Sequence, residues 1–302
     1  MGLFVKDQDF ASGSKRWEAK TALCLASLYA VWRSTFLANK FGLESFPPYM
    51  LNAVRFLSGG VILYAIMKFK GEKDPTFGEW MKAGIVGLFM VVGGSGGLTV
   101  GQQWVASGLA ATLIATVPLW TVVFTSFWEG RPGRLEILGV VIGILGVAML
   151  NMERGIRGNP IGVIYILSAA ACWGFGSALN RRIKWQSQQT VTAAQMIVGG
   201  AILAFISFLL GERMGPLTMK AAWGIFHLVV FGSVAGFSLY VHLLKTTRPA
   251  VATSYALVNP IIAAILGATL AGERFSLVAL LAMAVILSGV ALVFLAKVQR
   301  RG

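Results

Sequence analysis

Two arginines, and no carboxylate, stand in the middle of apolar stretches of this 302-residue chain. Arg33 lies seven residues before Lys40, and Arg55 seven residues after Pro48. If each stretch is a helix rising about 1.5 Å per residue, both arginines sit roughly 10 Å from the same end, on adjacent antiparallel helices. A cation at that depth needs water, backbone carbonyls or an anion beside it. Two readings stay open. The side chains snorkel outward or cap carbonyls, or they clamp a carboxylate, which suits the forked guanidinium.

Rings and amides are the other candidates for a binding surface. Trp32, Trp120 and Trp173 fall inside apolar stretches, and Tyr240 and Tyr255 join them; cavity lining and core packing both suit these residues. Trp104, Trp128 and Trp185 read as an interfacial belt. Gln102, Asn180, His242 and Asn259, with Asn39, Ser95 and Thr99, are polar groups that must find partners, across the chain or on a solute. Pro118 and Pro260 mark places where a helix breaks and its backbone opens to a cavity.

Chemistry beyond binding has no visible carrier. Cys24, Cys172, His227 and His242 are too few and too scattered for a metal site. No nucleophile elbow, paired carboxylates or phosphate loop appears, and Gly93–Gly97 lies within an apolar stretch, where close packing or a helix break explains it. The expectation is no enzyme, no cofactor and no metal.

The elements that must position these residues are membrane spans. The chain is 56% hydrophobic and 13% charged, where soluble domains carry roughly 25% charged residues, and its mean hydropathy is +0.73. Ten apolar runs are predicted, at 21–39, 49–69, 83–105, 110–127, 135–152, 161–180, 191–210, 221–244, 250–271 and 276–296. They are numbered as spans 1 to 10 below. Each is long enough for a core about 30 Å thick. The polar, mixed-charge first 20 residues predict no cleavable signal peptide. Of the 26 Lys and Arg residues, eighteen fall in the tails and the 2–3, 4–5, 6–7 and 8–9 connections, against six in the others. That bias predicts both termini in the cytoplasm and accounts for the +14 net charge without nucleic acid.

The spans form two copies of one unit. Trp32 to Lys40 is answered by Trp173 to Arg181, Gly59-Gly60 by Gly199-Gly200, Pro118 by Pro260, and Gly146-Val147-Ala148 by Gly289-Val290-Ala291. The offsets run from 140 to 143 residues. Five spans per copy is an odd number, so the second copy enters from the opposite face, and such inverted repeats place a site at their interface and favour alternating access. The predicted organisation is a tail (1–20), a first repeat (21–152), a linker (153–160), a second repeat (161–296) and a tail (297–302). Gly139, Gly143 and Gly146 make a small-residue ridge for a neighbouring helix, with dimerisation the lesser reading.

The Trp motif ending the first span of each copy, the small-residue runs into Pro118 and Pro260, and Gly272-Glu273-Arg274-Phe275-Ser276 before the last span resemble the drug/metabolite transporter superfamily. The similarity is to its ten-helix, EamA-type branch and extends over about residues 21 to 296; Arg33 stands where that family usually has Gly. The pattern is similar to bacterial YddG-type exporters of aromatic and other amino acids. The resemblance implies an inner-membrane, all-α metabolite exporter whose cavity is shared by spans 1–4 and 6–9. The expected substrate is an amphipathic amino acid or similar carboxylate, carried by facilitated movement, with a monomer favoured. A multidrug exporter of lipophilic compounds is the alternative, although the usual membrane-embedded acid is missing. A non-transporting scaffold or receptor is the second alternative.

Overall fold

The computed structural model describes residues 8–130, 132–152, 160–246, 269 and 276–299. Predicted span 9, with Tyr255, Asn259 and Pro260, lies outside the described residues apart from position 269, as does the side chain of Arg33. The protein is an all-α polytopic membrane protein built from two inverted five-helix repeats. Among the described residues, seven helices are long and apolar enough to cross a membrane.

Span 1 is Gln8–Gly42, span 2 Pro48–Phe69, span 5 Arg134–Met152, span 6 Pro160–Arg182, span 7 Gln188–Leu209 and span 10 Leu277–Gln299. Span 1 begins well before its predicted start near residue 21, because the helix continues through the polar N-terminal run where hydropathy gives no signal. Span 3 runs through Phe77–Gly87, a π-helical stretch Leu88–Gly96 and Gly97–Gly101. Span 8 repeats the design with Met219–His227, a π-helical stretch Leu228–Ala235 and Gly236–Thr246. Span 4 is broken into Ser107–Ile114 and Val117–Glu129, with Pro118 in the first turn of the second piece. Proline suits that turn because its missing N–H has no intrahelical partner there.

Local chemistry sets the ends. Thr76 and Glu79 form a reciprocal capping box at the start of span 3, and Thr218 accepts from the Ala221 N–H at the start of span 8. Gly71 and Gly211, equivalent in the two copies, end spans 2 and 7 at φ +74° and +65°. Only glycine takes that left-handed turn without strain.

Two acids tie connections to neighbouring helix starts. The Glu212 carboxylate accepts from the Tyr49 and Met50 N–H groups at 3.3 and 2.8 Å, opposite the partial positive charge of the span 2 N-terminus. Beside it, Ser45 Oγ donates to the Pro216 carbonyl at 2.8 Å and accepts from the Thr218 N–H at 3.0 Å. This is the Ser45 end. At the opposite end, Glu79 Oε1 accepts from the Gln186 N–H at 2.8 Å, and this is the Glu79 end.

The helices pair across the repeats. Span 2 lies along its counterpart span 7, and span 5 along span 10; span 1 packs on span 8 and span 3 on span 6. Without a hydrophobic drive between helices in lipid, close approach supplies the attraction, and small residues permit it. A Cβ on Gly101 would meet Ile166 at 2.5 Å, and one on Gly236 would meet the Trp32 indole nitrogen at 2.3 Å. In the span 5 ridge, Gly139 and Gly146 pack on span 10 of the same chain, and Gly143 faces Leu119 of span 4. The glycine-rich run at 93–97 lies against Cys172, Trp173 and Ala169 of span 6.

A Cβ on Gly289 would lie 2.5 Å from the Gly139 carbonyl oxygen and 2.6 Å from the Gly143 nitrogen, where backbone cannot yield. Gly289→Leu is expected to cost about 1–3 kcal/mol through overpacking, seen as a lower midpoint of thermal unfolding in detergent. Gly78→Ala, with open space around it, is expected to leave the midpoint unchanged.

Candidate functional site

Arg55 is 8% exposed and lies where spans 1, 2 and 8 meet. Its Nε donates to Ser233 Oγ at 3.2 Å, and its guanidinium carbon lies 4.7 Å from the centre of the Phe56 ring. The approach depends on Gly232 in the π-helical stretch of span 8, where a Cβ would stand 2.9 Å from Thr35 and 3.3 Å from Arg55 Nη2. Among the described residues no backbone carbonyl accepts from the guanidinium, and the side chain is buried. Among the described residues no carboxylate pairs with it.

Along the same wall, Ser34 Oγ and His227 Nε2 are 2.8 Å apart. Ser34 also lies 2.8 and 2.9 Å from the Val31 and Ala30 carbonyls. A hydroxyl donating to either carbonyl accepts its bond from the imidazole. His227 also lies against Phe231, with ring centres 5.1 Å apart. Position 33 falls between Trp32 and Ser34, both of which face span 8.

Amides form a second polar group. Asn39 Nδ2 donates to Gln102 Oε1 at 3.0 Å and to Thr99 Oγ1 at 3.3 Å, and Gln102 Nε2 donates to the Phe36 carbonyl at 3.3 Å. Asn180 is held differently: its Oδ1 accepts from Gln195 Nε2 at 3.0 Å. Both asparagines thus bond within their own repeat, where the sequence also allowed a bond across the interface. Among the described residues, the side-chain oxygens of Asn39 and Asn52 are buried with no hydrogen-bond partner.

Rings form two walls. Trp32 packs on Phe237 and Tyr240 at 5.7 and 5.2 Å between centres. On spans 3, 4 and 6, Phe175 contacts Phe89 at 4.7 Å, Phe124 at 5.3 Å and Trp128 at 6.1 Å, and Trp120 stacks on Phe124 at 6.3 Å. Trp173 covers Gly94, so it belongs to the interhelix packing and is only half-buried. Trp128 carries Arg182 over its ring at 5.3 Å, and Trp104 stacks on Tyr165 at 6.1 Å. His242 is exposed. Cys24 and Cys172 are free thiols, half-buried rather than fully buried.

The structure adds residues that sequence reasoning missed. Ser233 bonds Arg55, and Ser34 pairs with His227 along the same wall; a histidine and a serine in an otherwise apolar span were the available signal. Gln195 stands at the Arg55 position of the second copy, an offset of 140 that the repeat itself supplies. Phe89, Phe124 and Phe175 were indistinguishable in sequence from ordinary apolar residues.

Residues 20–152 and 160–295 each match the profile of the EamA-like transporter family. The chain is 38% identical over 275 residues to the Uncharacterized inner membrane transporter YedA of Escherichia coli (strain K12), covering 90% of each chain. It is 24% identical over 258 residues to the Uncharacterized transporter YoaV of Bacillus subtilis (strain 168), over 82% of this chain and 87% of that one. A solved crystal structure is similar in fold, with a TM-score of 0.66 at 20% identity over 92% of this chain and 99% of the other.

Among the described residues Ser233 Oγ is the one hydrogen-bond acceptor of the buried Arg55, and removing it has a measurable cost. Ser233→Ala leaves Arg55 Nε without its hydroxyl, and stability is expected to fall by about 1.5–3 kcal/mol, the worth of a hydrogen bond to a charged group. Thermal unfolding in detergent checks this, with Ser233→Thr expected to recover most of the loss.

Proposed function

The chain belongs to the EamA-like transporter family, and from that premise we propose that it exports small carboxylate metabolites, aromatic or otherwise amphipathic amino acids foremost, by alternating access. It is a transporter, so what remains is the solute. The observation that carries the reading is Arg55: a cation buried at the meeting of three spans, bonded to a neutral serine and paired with no carboxylate among the described residues. A solute carboxylate supplies the missing anion. The aromatic walls built on Trp32 and Tyr240, and on Trp120, Phe124 and Phe175, suit an apolar or aromatic side chain. The same absence of an acid beside the cation weighs against lipophilic cations as substrates.

In this reading residues 21–152 and 161–296 are the two exchanging units, and Arg33, Gln102, Trp173, Asn180, Tyr255, Asn259 and His242 line or gate the path between them. Pro118 and Pro260 keep spans 4 and 9 open at mid-depth. The protein sits in the inner membrane as a monomer with both termini in the cytoplasm, which puts the Ser45 end outside. Transport runs down the solute's own gradient.

Flux into proteoliposomes, with a panel of amino acids, their amides and lipophilic cations, tests the proposal. Arg55→Ala is expected to weaken binding of the carboxylate solutes by roughly 10- to 150-fold, the equivalent of one charge-assisted hydrogen bond, and to spare carboxylate-free analogues. Equal flux of acid and amide by the wild type would sink the carboxylate reading. A reporter fused after Arg301 is expected to be active in the cytoplasm. With equal solute on both sides and the potential clamped, a pH gradient is expected to drive no accumulation.

A further inference from the structure

The two ends of the bundle differ at residues that the repeat makes equivalent. Asn39 corresponds to Asn180, Gln102 to His242 and Arg55 to Gln195, at offsets of 141, 140 and 140. Asn39 donates to Gln102, joining spans 1 and 3 at the Ser45 end. Asn180 accepts from Gln195 instead, joining spans 6 and 7, and His242 is exposed.

Packing follows the same division. Gly224 of span 8 comes so close to span 1 that a Cβ there would lie 2.7 Å from the Ala38 carbonyl oxygen. Its counterpart Gly84 in span 3 has Val198 of span 7, at 3.2 Å, as its one neighbour within 4 Å among the described residues; span 6 meets span 3 further in, where a Cβ on Gly176 would lie 2.6 Å from Met90, and does not reach Gly84. Thr35 through Asn39 are all buried, whereas among residues 176–180 Gly176 and Ala178 alone are. Phe36, Leu109, Ala110, Leu113 and Ile166 close the Ser45 end in one apolar cluster. The structure is sealed at the Ser45 end and parted at the Glu79 end.

Inverted repeats reach their second state by exchanging conformations. Exchange applied to these residues gives specific partners. Asn180 takes the role of Asn39 and donates to His242. Asn39 takes the role of Asn180, and its Oδ1 then needs a donor at the position equivalent to Gln195, which is Arg55. That oxygen is buried and unpartnered in the present state, as an acceptor awaiting its donor is expected to be.

We propose that Asn39–Gln102 and Asn180–His242 are alternative latches, one at each end of the path, and that Asn39 Oδ1 accepts from Arg55 when the Ser45 end opens. The latches are properties of the chain itself and hold whichever solute is carried.

The test uses the full-length protein in detergent, with Cys24 and Cys172 replaced by alanine and one reporting cysteine at each end. Ala110→Cys reports the Ser45 end and Ser177→Cys the Glu79 end, through their rates of labelling by a small water-soluble maleimide. Gln102→Leu removes the latch that is closed here, and His242→Gln turns the other into an amide pair like Asn39–Gln102. Each is expected to speed labelling at position 110 and slow it at 177, changing the ratio about 2- to 13-fold, as one net hydrogen bond does. His242→Leu is expected to move the ratio the opposite way. In the Gln102→Leu protein, adding Arg55→Leu is expected to return the ratio toward its starting value. Unchanged ratios in both His242 variants, or both probes speeding up together, overturn the proposal. Because no solute is present, this result is separate from the carboxylate test above.

Discussion

Inside a hydrocarbon layer no water completes a hydrogen bond, so each polar group within the bundle must be matched by another. The consequences appear at every level of this structure. Helix starts are closed by side chains: Thr76 with Glu79, Ser187, and Thr218. The Glu212 carboxylate serves two backbone N–H groups of span 2, which also fixes the 7–8 connection against the 1–2 connection. Amides find amides, and Arg55 finds Ser233. Among the described residues the exceptions are the side-chain oxygens of Asn39 and Asn52.

The same layer removes the hydrophobic drive between helices, so contact area must come from close approach. Glycines supply it on all four repeat-crossing pairs: Gly101 and Gly97 of span 3 on span 6, Gly224 and Gly236 of span 8 on span 1, Gly60 and Gly200 between spans 2 and 7, and Gly139, Gly146 and Gly289 between spans 5 and 10. Between spans 2 and 7 a cluster that includes Phe56, Leu63, Met67, Met196 and Leu203 packs beside those glycines. Spans 3 and 8, which pack on spans 6 and 1, carry the π-helical stretches. Such a stretch widens the helix by one residue and frees local backbone geometry.

Much of the architecture was legible in the residues. Apolar runs located the spans and the landmark offsets gave the repeat, but span 3 starts at Phe77, ahead of the predicted 83, on a Thr76–Glu79 capping box that hydropathy does not register. Hydropathy missed the polar beginning of span 1, since a helix outside lipid needs no apolar run. The π-helical stretches were also hidden; Gly93–Gly97 suggested a break, while Leu228–Ala235 has no comparable glycine run. At the site, intramembrane charge singled out Arg55, because a cation there is costly whatever surrounds it. Its partners were not readable: Ser233 and His227 lie more than 170 residues away in the chain, and only folding brings spans 1, 2 and 8 together. The Asn39 and Asn180 partners were left open because spacing along a helix does not say which neighbour an amide faces.

The choice of partner for Arg55 has an energetic logic. A buried arginine paired with glutamate is satisfied, and removing one member of such a pair costs about 3–5 kcal/mol. A solute carboxylate would have to displace that glutamate at every cycle and return the guanidinium to it at release. Arg55 is held instead by a serine hydroxyl and the face of Phe56, contacts worth about 1.5–3 and about 0.5–2 kcal/mol respectively. Among the described residues those contacts keep the side chain in place without a carboxylate against it. On the function proposed above, an anion would bind without first breaking an ion pair, and on leaving would return the guanidinium to its serine and ring contacts. For a protein that must release its cargo on every cycle, a weakly held cation is the better design.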